Sequence, residues 1–403
     1  MKIRSLILTT LLIYFGSVVN SQSIASPWIE VQDKGMRQAL QVLSDAGLIR
    51  SSTITFPIDW RAVAVDLHAI DRNALSPQCK AALARVLASF NYAQDSYYGG
   101  RISGSSDVPP TEQFAQPQRS KGELSLVRTA QSNYFATRLT LNFRTAPVSA
   151  NEIEVQSTSL EGSYFAMRSG KTVFSLEQTE LWWSPSFLLN GLGTQSVSPL
   201  QKFRVSYSDE VSEISWRLQA FAGYSEDKLR TADGDLEHET AHGFHLSFRD
   251  PLNIEYGLGI TESKLDYKVK QWTGSVRAPL SETLGAYIQW EHRTQGTKEA
   301  SQNRKLLGID YSSYYKHFLW KAYTEYVSDD SDDYGSIGMQ AFQADGLGYD
   351  LRFTMGDKRA VTIEHFRPFA SGLLSTYIHS WNERPGYSEN TWAVGFSWEI
   401  RWQ

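Results

Sequence analysis

The 403-residue chain changes its pattern of hydrophobic and polar positions once, near residue 120. Before this point, apolar residues recur every three or four positions, as they do on one face of a helix. After it, they alternate with polar residues in segments of about ten residues separated by polar turns, which is typical of strands with one apolar and one polar face. The pattern therefore predicts a short helical region followed by a long β region.

Three amphipathic helices are predicted in the first region. The first starts after Asp33 and ends at Gly47, the second follows Asp59, and the third has Ser76 as its cap and Pro77 at its first position. Short helices can bury their apolar stripes only against each other or against something larger. We therefore expect this region to dock on the rest of the protein.

The alternation is clearest in the last segment, 392–402, where every second position is apolar and Glu399 and Arg401 lie between them. Segments 135–143, 214–219 and 318–323 repeat the pattern. Soluble sandwiches and propellers also alternate, but long strands, charged residues on the polar face and aromatic residues at strand ends favour a membrane. We predict an all-β transmembrane β-barrel of about 16–18 antiparallel strands with a small N-terminal α-helical bundle. A barrel of this size has an interior that is wet or plugged.

The predicted organisation has four parts. Lys2 and Arg4, an apolar stretch and the run Ser23-Ile24-Ala25 are typical of a cleavable export signal. Glycine pairs and prolines between 93 and 118 predict an irregular linker. The expected parts are a signal peptide (1–25), a periplasmic helical bundle (26–92), the linker (93–118) and an outer-membrane barrel (119–403).

Composition agrees with this picture. The chain holds 12 Trp, 20 Tyr and 19 Phe, yet its mean hydropathy is −0.36. Both values are expected when aromatic residues face lipid and polar residues face a wet interior. The balance of 39 Lys+Arg against 44 Asp+Glu, with no basic patch along the chain, argues against nucleic-acid binding. Cys79 is the one cysteine, so an internal disulfide is excluded.

Two segments of the chain resemble the Wzi-type capsule assembly family. The first comprises Leu43-Ser-Asp-Ala-Gly-Leu-Ile49 and Thr55-Phe-Pro-Ile-Asp-Trp60, and the second is Glu180-Leu-Trp-Trp-Ser-Pro-Ser186, which is similar to the family's Trp-Trp-Gly-Pro-Gly stretch. The resemblance implies an 18-stranded outer-membrane barrel with a periplasmic helical bundle. It also implies a lectin that holds capsular polysaccharide at the cell surface, and not an enzyme.

This chain departs from the family pattern at three positions. Leu181 stands where the family has Arg, and Ser184 and Ser186 replace its two glycines. The family's following Asn-containing run is only loosely matched, from Asn190.

The predicted polysaccharide-binding residues come from this motif and from two outer loops. Sugars stack their C–H faces on aromatic rings, and their hydroxyl groups bind planar polar side chains, so loops that combine both kinds of residue are candidates. The candidates are Trp182, Trp183, Pro185, Asn190, Asp330, Asp332, Trp381 and Arg384. Each of them has an alternative role in packing or in a solvated loop.

Two motifs suggest metal chemistry but lack its context. His238-Glu-Thr-Ala-His242 matches the zinc-protease pattern H-E-x-x-H, with Glu262 as a conceivable third ligand. That chemistry needs a helix, whereas the flanking residues predict a strand, which would separate the two histidines by about 13 Å. The acidic run Asp329–Asp333 fails the calcium-loop pattern at its later positions. We expect no catalytic residue, metal or cofactor.

Two functions remain open at this level. One is an outer-membrane lectin that anchors or organises surface polysaccharide. The other is a porin or substrate-specific channel, suggested by charged residues on the inward face such as Arg217 and Lys321. The expected partners are surface or capsular polysaccharide and outer-membrane lipid, and we expect a monomer. Steady conductance in a planar bilayer would favour the channel.

Overall fold

The structure is a computed structural model that describes most of the chain. The described residues are 27–107, 120–132, 134–147, 153–154, 156–192, 199–230, 235–265, 268–296, 300–330, 333–356, 359–369, 372–382 and 391–402. The expected signal peptide, 1–25, lies outside them.

Three helices form near the N-terminus, each with the start signal that the sequence predicts. They are α1 (Lys34–Asp45), α2 (Trp60–Ala69) and α3 (Pro77–Ala93). Asp33, Asp59 and Ser76 each accept a hydrogen bond from the first turn of the helix that follows. Gly47, with a φ of +72°, lies just beyond α1. None of the helices in the described part of the chain is long and apolar enough to cross a membrane.

The remaining elements are strands, most of them 9 to 17 residues long. In chain order they are β1 (Trp28–Ile29), β2 (Thr55–Phe56), β3 (Ile58–Asp59), β4 (Tyr98–Ser105), β5 (Ser120–Gln131), β6 (Phe135–Pro147), β7 (Ile153–Glu154), β8 (Thr158–Ser159), β9 (Tyr164–Ser169), β10 (Thr172–Glu177), β11 (Trp182–Trp183), β12 (Gln201–Val211), β13 (Ile214–Arg230), β14 (Leu236–Arg249), β15 (Glu255–Lys264), β16 (Lys268–Pro279), β17 (Leu284–Gln295), β18 (Ala300–Tyr315), β19 (Phe318–Asp329), β20 (Asp333–Phe342), β21 (Gly348–Gly356), β22 (Arg359–Phe369), β23 (Gly372–Asn382) and β24 (Thr391–Trp402).

Eighteen of these strands close into one antiparallel barrel, which confirms the predicted fold class. The barrel strands are β4–β6, β9, β10 and β12–β24, and the short β7 and β8 add local pairings. β24 pairs with β4 and so joins the end of the sheet to its beginning. Closure leaves no unpaired sheet edge, which is the condition for crossing lipid with strands.

The barrel is apolar outside and polar inside. In β17, Ile288 is 53% exposed on the outer face, whereas its neighbour Gln289 is 3% exposed and faces the lumen. Aromatic side chains such as Trp272 and Tyr326 lie near one end of the outer face, and others such as Tyr311 and Tyr349 lie near the opposite end. An apolar band between two aromatic girdles is the outer surface of an outer-membrane barrel, and it confirms the location expected from the sequence.

The predicted linker is partly wrong, because β4 lies within 93–118 and is a barrel strand. It pairs with β24 on one side and β5 on the other. Its glycines suggested an irregular segment, but they lie against bulky aromatic side chains. A Cβ on Gly104 would lie 3.0 Å from the ring of Phe396, and one on Gly100 would lie 3.6 Å from Trp402. Gly104 therefore makes room for the ring of Phe396, whereas a Cβ on Gly100 would be in ordinary contact with Trp402.

The two ends of the barrel differ. At the helical end β24 finishes with Trp402, and tight turns such as Lys316–His317 join the strands. At the opposite end, which we call the loop end, β4 finishes at Ser105, β10 at Glu177 and β23 at Asn382. The helices enter the lumen from the helical end, so they dock on the rest of the protein as predicted. Every residue of α1 is buried.

Candidate functional site

The lumen is occupied by α1, whose polar face is as buried as its apolar face. The apolar side packs in a core shared with α2 and α3. On the polar side, the Lys34 ammonium contacts the carboxylates of Asp350 at 2.8 Å and Glu364 at 2.7 Å. Burial lowers the pKa of Lys34, but these two carboxylates outweigh burial and hold the pKa above its usual value. Lys34 is therefore charged and ties α1 to strands β21 and β22.

A second ionic cluster holds the other end of α1. Arg277 of β16 binds the carboxylate of Asp45, with one contact at 2.9 Å, and also contacts Asp310 of β18 at 3.0 Å. Lys321 lies 3.6 Å from Asp310 on its other side. All four side chains are buried. Because both ends of the helix pair with charges of the barrel wall, α1 is fixed across the lumen.

The segment 178–192, the first part of the connection from β10 to β12, also folds inward. Its strand β11 pairs with β2 in the helical region, with Trp182 opposite Phe56. The indole of Trp182 donates to the carbonyl of Ser186 at 2.9 Å, and the indole of Trp183 donates to Gln219 of the wall at 2.9 Å. The tryptophan motif therefore joins the loop end of the lumen to the helical region, and we call 178–192 the inner segment.

The two serines that replace the family's glycines stabilise the turn of the inner segment. The Ser184 hydroxyl accepts from the backbone N–H of Ser186 at 2.9 Å, and the Ser186 hydroxyl accepts from that of Leu188 at 2.8 Å. Arg37 of α1 donates to the carbonyls of Pro185 at 2.6 Å and Ser186 at 3.0 Å. Burial lowers the pKa of Arg37 to about 10, so this guanidinium stays charged at neutral pH. The helix and the inner segment thus form one plug.

The structure brings four of the predicted sugar-binding residues together, in the plug. Trp182, Trp183 and Pro185 are buried there, and Asn190 is half-buried, with its amide donating to the carbonyl of Leu181 at 2.9 Å. Their contacts are those of packing residues. A role for them in sugar binding stays a prediction.

Two of the remaining predicted residues, Asp330 and Trp381, lie at the loop end and are not adjacent to each other. Asp330 is exposed beyond β19, where its carboxylate accepts from the backbone N–H of Asn303 at 2.8 Å. Trp381 is buried on β23, with its ring centroid 5.2 Å from that of His379. Asp332 and Arg384 lie outside the described residues.

A polar cluster at the loop end was not predicted from the sequence. It consists of five inward-facing side chains of β17–β20, and we call it the vestibule: Arg293, Gln302, Arg304, Asp329 and Tyr334. The Asp329 carboxylate accepts from Arg304 at 2.7 Å and from Gln302 at 2.8 Å. The Nε of Arg293 is buried and has no hydrogen-bond partner among the described residues. The acidic run at 329–333 is the part of this cluster that is visible in the sequence. The strand register that places the arginines beside Asp329 is not visible there.

The floor of the vestibule is the plug itself. Leu188 and Leu189 of the inner segment pack in a buried cluster with Leu306 and Val327, and Tyr334 lies against this cluster. The vestibule therefore combines an aromatic ring with arginine, amide and carboxylate groups above a closed floor. This combination suits a sugar, which needs both an apolar face and planar hydrogen-bonding partners.

A cavity of about 350 Å³ runs beside the helices, along strands β4–β6 and β24. Its lining includes Arg101, Arg138 and Arg401. All three arginines are paired with acids: Arg101 with Glu123, Arg138 with Glu30 and Arg401 with Glu399. In the described part of the lumen, the plug thus leaves a crevice beside the helices that is lined partly by charged side chains.

The zinc-protease pattern lies on a strand, as expected. His238 and His242 belong to β14 and face outward, and among the described residues no group of three or more metal-ligating side chains could hold a metal ion. Two histidines four residues apart on a strand are about 13 Å apart, too far to share one zinc ion.

Fold and site together define an outer-membrane β-barrel with a plugged lumen and a polar vestibule at one end. No protein-family model matches the chain. The chain is 22% identical over 332 residues to a Klebsiella pneumoniae protein described as an uncharacterized 55.8 kDa protein in the cps region, a match covering 79% of this chain and 61% of that protein. The chain therefore spans less than two thirds of the length of this curated relative.

Among solved structures, the chain is similar to Wzi of Escherichia coli, described as an outer-membrane protein involved in group 1 capsule assembly and a carbohydrate-binding β-barrel. The match has a TM-score of 0.76 and 16% identity, and it covers 93% of this chain and 99% of Wzi. It confirms the resemblance drawn from the sequence at the level of fold. A BenF-like porin from Pseudomonas fluorescens matches at 9% identity over 76% of this chain and 97% of the porin, with a TM-score of 0.48, too low to bear on function.

Proposed function

We propose that this protein is an outer-membrane lectin of capsule or exopolysaccharide assembly, which anchors polysaccharide at the cell surface and is not an enzyme. The observation that carries the proposal is the vestibule, an inward-facing cluster with sugar-compatible chemistry that lies against Leu188 and Leu189 of the inner segment. The Wzi-like fold and the relative in a cps region support the same assignment. In this account the protein acts as a monomer, the helical end faces the periplasm and the loop end faces the exterior.

The closed floor weighs against the channel alternative. A channel for solutes needs a continuous wet path, whereas α1 is held across the lumen by buried ion pairs. The inner segment is held by hydrogen bonds to the wall, such as the one from Trp183 to Gln219. The crevice beside the helices is the part of the described lumen that favours conduction. We expect small or no steady conductance from the purified protein in planar bilayers.

Sugar binding in the vestibule is tested with Arg293→Gln. This change removes a charged donor. Because the Nε of Arg293 has no partner among the described residues, the change breaks no described hydrogen bond of that atom. A hydrogen bond to a charged group contributes about 1.5–3 kcal/mol, so we expect binding to purified polysaccharide of the source cell to weaken by about tenfold or more. Isothermal titration calorimetry gives the dissociation constant.

Arg367→Gln is the matched control, because Arg367 is an exposed arginine near the helical end of β22. It should bind polysaccharide as the wild type does. Equal binding by wild type and Arg293→Gln, or equal loss in both variants, would contradict a site in the vestibule. The same titration with Trp182→Ala and Trp183→Ala tests the residues predicted from the sequence, with a folding check because both side chains are buried.

A further inference from the structure

The outer wall carries a basic patch at the loop end of strands β14–β18. Four lysines point outward there: Lys264, Lys268, Lys270 and Lys305. Lys264 and Lys268 are direct partners across β15 and β16. Among the outward-facing residues described on these strands, the one carboxylate at this end is Glu262, which lies 2.6 Å from Lys268 and 3.9 Å from Lys270. The patch forms only when the strands pair, so it is not visible along the sequence.

An apolar groove of about 710 Å³ begins beside this patch and runs down the outer wall. It follows a row of paired outward residues on neighbouring strands: Leu258, Gly274, Trp290 and Lys305. Gly274 creates the depression, since a Cβ there would lie 3.8 Å from Trp290 and 3.9 Å from Leu258, in ordinary contact with both. The groove is therefore bordered at its loop end by Lys305 and continues into the lipid-facing band.

Patch and groove together match an amphiphile with a particular charge. Acyl chains fit an apolar groove inside the membrane, and lysines near the membrane surface attract anionic headgroups. A zwitterionic lipid would bring as much positive as negative charge to the four lysines, so it matches the patch less well than an anionic lipid does. A free sugar chain would leave the groove empty.

We propose that this face binds a phosphorylated, multiply acylated glycolipid of the outer leaflet, with an acyl chain in the groove and phosphate groups on the lysines. The inference rests on the orientation in the proposed function, in which the loop end faces outward. It is independent of sugar binding in the vestibule, because that cluster faces the lumen and this site faces lipid.

The test uses the full-length protein in a neutral detergent, with lipid A as the probe and native mass spectrometry as the readout. Each lysine near an anionic lipid surface contributes about 1 kcal/mol. The variant Lys264→Gln/Lys268→Gln/Lys270→Gln should therefore retain lipid A about a hundredfold less tightly than the wild type. Gly274→Leu, which fills the groove and keeps every charge, should also weaken retention. Lys80→Gln, on the exposed side of α3, should not.

Heat-modifiable migration on gels verifies that each variant is a folded barrel. Wild-type retention of lipid A by both the triple variant and Gly274→Leu would overturn the proposal, as would equal retention of phosphatidylcholine. Displacement of lipid A by inorganic pyrophosphate at comparable concentration would show a free-anion site and would also overturn it. Loss of lipid A binding with intact polysaccharide binding would separate this inference from the proposed function.

Discussion

Lys34 holds the plug in the barrel, and replacing it with methionine is the sharpest test of how the lumen is closed. Its ammonium is the partner of two buried carboxylates, Asp350 at 2.8 Å and Glu364 at 2.7 Å. Lys34→Met keeps the length of the side chain and removes the charge, so both carboxylates lose their main compensation. Removing one partner of a buried ion pair costs about 3–5 kcal/mol.

The structure narrows this range. Arg352 lies 3.7 Å from Asp350 and offsets part of the loss, so we expect the docking of α1 to weaken by about 3 kcal/mol. The barrel wall keeps its hydrogen-bonded strands, and the cost therefore falls on docking and not on the barrel. A change of this size raises the undocked population about a hundredfold.

Hydrogen exchange of the backbone amides in 34–45 measures this population directly, because exchange of the buried helix requires local opening. Lys80→Met, the same substitution on an exposed position of α3, is the matched control. Lys34→Met should exchange much faster in α1 while amides of β16–β19 keep their protection. Unchanged protection of α1 in Lys34→Met would refute the idea that this ion pair holds the plug.

Two further predictions concern the pH dependence of α1 docking and the packing of the barrel wall. The pKa of Lys34 is raised, so the contribution of this side chain to docking is fully present below the usual pKa of 10.5 and is lost only as pH rises through the higher pKa in the folded protein. The difference in α1 hydrogen exchange between wild type and Lys34→Met should therefore stay constant from about pH 7 to about pH 9. A steep decline of this difference within the window would contradict the prediction. Gly308→Ala should lower the free energy of unfolding of the barrel by about 1–3 kcal/mol, because a Cβ there would lie 2.1 Å from the ring of Tyr287. Alanine at Gly274 should be tolerated. Equal melting temperatures for the two variants would count against the packing argument.

The sequence predicted the elements well, because each signal is local. A capping residue and an apolar stripe define a helix within a dozen positions, and alternation defines a strand within ten. Thus Asp33 and Ser76 mark real helix starts, and 392–402 is a barrel strand with the predicted inward Glu399 and Arg401.

What the sequence could not show is which surfaces meet. The polar face of α1 is typical of solvent exposure, yet Lys34 is buried because the barrel lumen is itself polar and offers carboxylates. The tryptophan motif suggested sugar contacts, but the pairing of β11 with β2, which buries Trp182, depends on residues more than a hundred positions apart. Likewise β4 was not predicted as a strand, because the need for glycine at position 104 becomes visible only when β24 places Phe396 beside it.

The vestibule and the basic patch were also invisible in the sequence as clusters, because strand pairing brings their residues together. Arg304 and Asp329 are 25 positions apart in the chain and adjacent only through the register of β18 and β19. Lys305 reaches the groove beside Gly274 only because β17 places Trp290 between them. Register is set by the closed sheet as a whole, so such sites are not encoded in any local motif.

The central claim, that this barrel anchors polysaccharide at the cell surface through its vestibule, is tested most directly in the source cell. The measurement is the ratio of cell-bound to released polysaccharide in a deletion strain complemented with wild type, Arg293→Gln or Arg367→Gln, at equal total polymer and equal barrel levels. We predict that wild type and Arg367→Gln restore the cell-bound fraction, while Arg293→Gln leaves polymer in the medium. An unchanged cell-bound fraction in the deletion strain would contradict the account.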